Sequence, residues 1–274
     1  MFVILNIVES GKRKIKRGKT VNEVREVSTP GGERFYVVDV CDSEKGVNWD
    51  EVSYFIGKHS NKVLLDRQFC FPEFTPLTRF EPLHFKNVLL FNTLELILRE
   101  MYLSGIKVKC IVNDPLALYS SCLSKTVRFA SQTTVVTKYD YRYFSEIRGL
   151  YAEYGAGVTV SEKSPSPDAR TFILDTSCSL KNEGAGYLFS VTKGIKPLTV
   201  EGFSHLKVLC PSYIDEIDFL GAVYEMNREN SLSDAICGDF LCDGERKTVS
   251  ELMTELKKQL SVSFVSNKSI IFCV

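Results

Sequence analysis

Five polar clusters follow runs of β-branched or aromatic residues: Asp42, Asp66, Asn113-Asp114, Asp175-Thr176-Ser177-Cys178 and Cys210-Pro211-Ser212. Carboxylates can serve as acids, bases or metal ligands, and serine hydroxyls and asparagine amides can hold a substrate through neutral hydrogen bonds. The same residue types also end strands and cap helices for local reasons. The two roles part where clusters distant in sequence share one edge of a parallel sheet, because ligands bind at the carboxyl ends of such strands. Asn113, Asp114, Asp175, Ser177 and Ser212 are the residues expected at that edge. A catalytic version would use Asp114 or Asp175 as acid, base or metal ligand, with Ser177 or Ser212 positioning the substrate.

Other chemistries find less support. A dinucleotide site usually places glycines in the first strand-to-helix turn, so that the pyrophosphate can approach backbone N–H groups; here Asn113-Asp114-Pro115 occupies that turn. Gly155-Ala156-Gly157 and Gly184-Ala185-Gly186 fit a helix cap and a loop hinge better than a phosphate loop. His59, His84 and His205 are the only histidines, and none lies in a nucleophile motif. Cys178 and Cys210 are the thiols nearest expected strand ends, with burial as the plainer explanation of each. Cys237 and Cys242, with Asp239 and Asp243 nearby, have no second close Cys or His pair, so no metal site is expected. Asp215, Glu216 and Asp218 are explained by the first turn of a helix, whose dipole favours acids.

The elements that must position these groups are legible as periodicity. FYVVDVC (35 to 41), KVLLD (62 to 66), IKVKCIV (106 to 112), VRFAS and TVVT (within 127 to 137), GVTVSE (157 to 162), RTFILDT (170 to 176) and LKVLC (206 to 210) read as strands, and MFVILNIVES as a first strand. Helical spacing runs from Val52 to Ile56 behind an Asn48 cap, from about Asn87 to Leu103 with Gly105 as a stop, and from Phe144 to Tyr154 ending at Gly155. In the tail, Ser212 with Asp215 and Thr248 with Glu251 suggest capping boxes for two further helices. SVSFV and SIIFCV around Ser266-Asn267-Lys268 suggest a closing hairpin.

Strands alternating with helices predict an α/β fold: a Rossmann-like, mostly parallel sheet covered by helices, in two lobes, with a C-terminal helical segment and β-hairpin. The expected partition is an N-terminal α/β lobe over 1–104, with a basic loop, and a Rossmann-like lobe over 105–274; a single domain is the alternative. Zero formal net charge argues against a protein built as a whole for nucleic acid or anionic membrane. The one basic cluster, Lys12, Arg13, Lys14, Lys16, Arg17 and Lys19, reads as a solvated hairpin tip. No stretch has the apolar length of a membrane span. Nine cysteines without an export signal fit reduced thiols in the cytoplasm. No motif specifies a cofactor. The function expected is binding of a small polar ligand, with a nucleotide as one candidate; the alternative is a non-catalytic scaffold or regulatory protein acting through a partner.

Overall fold

The computed structural model describes residues 1–9, 20–42, 46–180, 185–227 and 230–268. The basic cluster at 12–19 and the last arm of the expected closing hairpin lie outside the described residues. The chain is a mixed α/β protein that forms two compact units, each made from two segments: Met1–Phe85 with Gly202–Ser233, and Lys86–Glu201 with Asp234–Val274.

In the first unit β1 (Val3–Glu9), β2 (Val21–Ser28), β3 (Arg34–Asp42) and β4 (Val63–Leu65) form a sheet of order β2-β3-β1-β4. β1 runs parallel to β3 and β4, and β2 antiparallel to β3. Val3, Leu5, Val38, Val40 and Val63 form its apolar core, each buried side chain contributing about 1.5–3 kcal/mol. β2 has no counterpart among the expected strands. Its VNEVREVS sequence sets charged and polar residues between valines at every third position and is exposed from residue 23 to 26, as an edge strand can be. Between β3 and β4, α1 (Trp49–Ile56) starts as its sequence predicts, with the Asn48 side chain accepting from the Glu51 N–H at 3.3 Å.

The long helix α2 (Leu83–Leu103) begins four residues before the expected Asn87, and Gly105 follows it at φ +71°. The sheet of the second unit contains β5 (Lys109–Asn113), β6 (Gln132–Val136), β7 (Val158–Ser161), β8 (Thr171–Asp175) and β9 (Tyr187–Ser190). All four pairings are parallel and the order is β7-β6-β5-β8-β9. β8, flanked on both sides, is buried at every position, which is why TFILD has no polar alternation until its final aspartate. α3 (Ser124–Val127) lies between β5 and β6, and α4 (Phe144–Tyr154) between β6 and β7, the latter ending on Gly155 in the left-handed conformation. The VRFAS run is therefore no strand: it spans the end of α3 and the turn after it. The serine- and proline-bearing stretch from β7 to β8 is a loop.

The remaining elements are β10 (Lys196–Pro197), α5 (Ser204–Lys207), α6 (Glu216–Asn227), β11 (Asp239–Cys242), β12 (Glu245–Thr248) and α7 (Val249–Lys268). LKVLC is not a strand. Its backbone winds, with Lys207 N bonding Phe203 O and Val208 N bonding Ser204 O, so Leu206 is buried while Val208 is 78% exposed. Cys210-Pro211-Ser212 consequently ends no strand. The cap of α6 is also displaced from Ser212: Asp215 Oδ1 accepts from the N–H groups of Ile217 at 3.0 Å and Asp218 at 3.2 Å.

The hairpin of the tail is β11–β12. Asp243 (φ +50°) and Gly244 (φ +87°) form its two-residue loop, and both central positions of the tight turn that matches strand twist need positive φ. SVSFV (261–265), expected as a strand, and Ser266-Asn267-Lys268, expected as its turn, instead continue α7. That helix begins at a reciprocal capping box, Glu251 N to Thr248 Oγ1 at 3.2 Å and Thr248 N to Glu251 Oε2 at 2.8 Å, and propagation outruns the β preference of SVSFV. Among the described residues, no helix is long and apolar enough to cross a membrane.

Gly221 in α6 tests the packing of the first unit. A Cβ there would lie 2.3 Å from Pro82 Cβ and 2.6 Å from its Cγ, a rigid ring that cannot rotate away. Overpacking costs about 1–3 kcal/mol or more and exceeds the roughly 1 kcal/mol gained by alanine in a helix. Gly221→Ala should lower unfolding free energy in urea by about 1–2 kcal/mol; a gain would contradict this approach of α6 to Pro82.

Candidate functional site

Parallel pairing places Asn113 opposite Val136 on one side and opposite Asp175 on the other, so the last residues of β6, β5 and β8 form one carboxyl edge. From β5 the chain turns toward β6, and it later returns on the opposite side as β8. The two loops leaving β5 and β8 thus diverge, the topology at which open α/β sheets bind ligands.

Asp114 follows β5 and is buried. Its Oδ2 accepts from Tyr119 N at 2.8 Å and from the Tyr143 hydroxyl at 2.7 Å, and its Oδ1 from Thr176 Oγ1 at 3.4 Å. The chain folds back through Ala117 at φ +52°, bringing Tyr119 N to the carboxylate. Burial, and then the neighbouring Asp114 charge, push the Tyr143 phenol well above its ordinary range, so it stays a donor. One side chain therefore closes the loop after β5 and ties it to the turn after β6.

Asp175 does the same at β8. Its Oδ1 accepts from Asn113 Nδ2 at 2.8 Å, Ser177 Oγ at 2.8 Å and Ser177 N at 3.2 Å, while Oδ2 accepts from Leu180 N at 2.8 Å. Cys178, at φ +57°, turns this loop. Asn113 Nδ2 also lies 3.1 Å from Ser177 Oγ and 3.4 Å from Ser179 Oγ, and the two serine hydroxyls are 2.6 Å apart. Ser177 and Ser179 are exposed; both aspartates are not.

Four of the five residues expected at the edge, Asn113, Asp114, Asp175 and Ser177, are thus brought together. Ser212 is not among them: it belongs to the other unit, exposed ahead of α6. Sequence reasoning missed Ser179, Tyr119, Tyr143 and Asn87. Asn87 had a signal, since it is a polar residue inside the apolar run of α2; it is buried and its Nδ2 donates to Tyr119 hydroxyl at 3.0 Å and Thr176 O at 3.1 Å. Tyr143 had none, being joined to Asp114 only by the fold.

The groups considered for other chemistry are placed elsewhere. All three histidines belong to the first unit. Burial, then Lys58 and Lys62, hold His59 below its ordinary range, and burial does so for His84. His205 lies in α5 rather than ahead of a strand. Burial, then nearby carboxylates, push the Cys210 thiol up to about 12, which leaves little thiolate at neutral pH. Asp239, Cys242 and Asp243 serve the β11–β12 hairpin, and among the described residues no group of three His, Cys, Asp or Glu is placed to hold a metal ion.

Two concave spaces among the described residues lie in the second unit. One of about 150 Å³ is lined by Tyr187, Leu188, Lys247, Glu255 and Gln259 among others. One of about 510 Å³ is lined by Gly105, Ile106, Lys107, Arg170, Leu260 and Ser261. Lys107 and Arg170 precede β5 and β8, so this space opens at the amino ends of the strands; neither space includes a residue of the carboxyl edge.

No family model and no curated protein matches the chain. Among solved structures, L-tryptophan dehydrogenase from Nostoc punctiforme is similar with a TM-score of 0.31 and 12% identity over 74% of this chain. The match covers 64% of that protein's length.

Asp175→Ala would leave Leu180 N without its acceptor and Asn113 Nδ2 with only the serine hydroxyls, and losing hydrogen bonds to a charged group costs about 1.5–3 kcal/mol each. Urea unfolding should show a loss of about 3 kcal/mol, against under about 1 kcal/mol for Ser177→Ala at the exposed end of the same network. Equal small losses in both variants would show that Asp175 does not hold the loop.

Proposed function

We propose that this chain is a Rossmann-like α/β protein whose lobe after residue 105 binds a small polar ligand, a nucleotide being one candidate, at the carboxyl ends of β5 and β8. The observation that carries this reading is the strand order, with the Asn113–Asp175 pair at the point where the connections diverge. Asn113, Ser177 and Ser179 supply neutral donors and acceptors, two of them on exposed hydroxyls. Asp114 and Asp175 are frame rather than reagents in this reading, because their lone pairs are taken up by Tyr119, Tyr143, Asn113, Ser177 and Leu180. A general acid or base must reach the proton it moves, and buried carboxylates engaged in this way support binding before catalysis.

A ligand at roughly 100 times its Kd should add about 2.7 kcal/mol to native stability. A thermal-shift screen of nucleotides, nicotinamide cofactors and small acids detects that. The Ser177→Ala/Ser179→Ala double variant, which alters only exposed hydroxyls, should fold with stability within about 1 kcal/mol of the parent and lose the shift. A full shift in the double variant would remove these hydroxyls from the site.

A further inference from the structure

At the amino ends of the five-stranded sheet, opposite the Asn113–Asp175 edge, lies the space of about 510 Å³. Among the described residues its walls come from three places far apart in sequence: Gly105, Ile106 and Lys107 in the turn from α2 to β5, Arg170 just before β8, and Leu260 and Ser261 on α7. Each wall is held by bonds of its own. Gly105 N donates to Tyr102 O at 3.0 Å and Ile106 N to Met101 O at 2.9 Å, which closes the turn. Lys109 N donates to Arg170 O at 2.9 Å, which sets the start of β5 beside the start of β8. The Lys257–Glu100 ion pair ties α7 to α2, and the Arg170 guanidinium reaches Leu260 O at 3.5 Å. Three packed elements, not one loop, therefore shape the space.

Its charge is one-sided. Lys107 and Arg170 line it, and none of the described lining residues is an acid. Two other cations close by in the chain, Lys109 after Lys107 and Lys257 before Leu260, are already paired, with Asp168 at 2.8 Å and with Glu100. Lys107 is exposed and pairs with no carboxylate among the described residues. A unit charge about 4 Å from such a cation gains about 1 kcal/mol in water and about 4 kcal/mol where solvent is partly excluded, so the wall selects an anion. Lysine and arginine heads together suit a carboxylate or a phosphate.

The remaining lining side chains are apolar or small: Ile106, Leu260, Gly105 and Ser261. The volume falls within the roughly 300–1,000 Å³ of small-molecule sites. It is many times the roughly 30 Å³ that one water takes up in the liquid, so a bare inorganic anion leaves most of it empty. An anionic head joined to an apolar group fills it and meets both kinds of wall. We infer that this space is a second ligand site, for a small organic anion whose carboxylate or phosphate lies against Lys107 and Arg170 and whose apolar part lies against Ile106 and Leu260. The site shares no residue with the carboxyl edge and does not depend on the edge reading.

The test is titration calorimetry of the full chain at low ionic strength with octanoate and hexyl phosphate. Octanol and octylammonium keep a chain and change the charge, and inorganic phosphate keeps the charge without the chain. At least one of the two amphiphilic anions should bind at one site per chain, about tenfold or more tightly than octanol, octylammonium or inorganic phosphate, and the tighter of the two names the head group. Lys107→Glu reverses an exposed charge and should weaken that anion about tenfold or more, whereas Lys107→Arg should hold it within about threefold. Ser261→Trp starts from an exposed position of α7, keeps both cations and fills the space, so it should abolish binding of both anions. Melting within a few degrees of the parent shows that a variant is folded. Absence of saturable binding by either anion overturns the inference, as does equal affinity for octanol or for inorganic phosphate. So does an affinity left unchanged by Lys107→Glu or by folded Ser261→Trp, which would place the bound anion elsewhere on the surface.

Discussion

Two buried carboxylates hold the carboxyl edge of the five-stranded sheet. Parallel strands end in loops whose backbone N–H groups have no ladder to join, and each of these two loops solves that problem by turning around an aspartate. Asp114 takes the Tyr119 amide and Asp175 the Leu180 amide. Hydrogen bonds to a charged acceptor contribute about 1.5–3 kcal/mol each, more than neutral ones, which suits them to pinning segments that have little apolar burial of their own. Ala117 and Cys178 accept positive φ in these loops; the strain is tolerable because the carboxylates over-determine the turns.

The frame decides what the edge can do. Acids that anchor loops are withdrawn from chemistry, and the side chains left outward are hydroxyls after β8, leucines after β5 and aromatic rings after β6. Asn113 links the halves, since its side-chain NH2 reaches Asp175 and both serines while its backbone carbonyl accepts from the Thr176 hydroxyl. The edge therefore presents hydroxyls and an amide beside an apolar rim, with Arg142 and Lys193 donating to the carbonyls of Leu116 and Leu180.

Much of this was legible in the sequence and the rest was not, for identifiable reasons. TFILD and KCIV are unbroken apolar runs because they are flanked on both sides, and such runs announce central parallel strands. Their final polar residues then mark an edge without any knowledge of register. LKVLC has the same composition and is a wound turn, because composition cannot distinguish a short buried strand from a turn that buries one leucine. Asp243-Gly244 is a dipeptide that favours a two-residue hairpin loop, but it lies among Cys237, Cys242 and acids whose types also suit a metal. Tyr143 joins Asp114 across 29 positions, a relation that only the fold creates. The serines were visible as hydroxyls, but whether their neighbouring aspartates were reagents or frame depended on hydrogen-bond partners that no spacing reveals.

Native-state hydrogen exchange of the Tyr119 and Leu180 amides tests the frame most directly, because each donates to one of the two carboxylates and neither belongs to a strand. Opening free energies range from near zero in mobile loops to the global value in core strands. The account predicts that both amides exchange about as slowly as those of Ile111 and Val112 in β5, and far more slowly than the Ser179 amide in the same exposed loop as Leu180. Exchange of Tyr119 and Leu180 at the rate of Ser179 would mean that the carboxylates do not hold the edge, and would contradict the account.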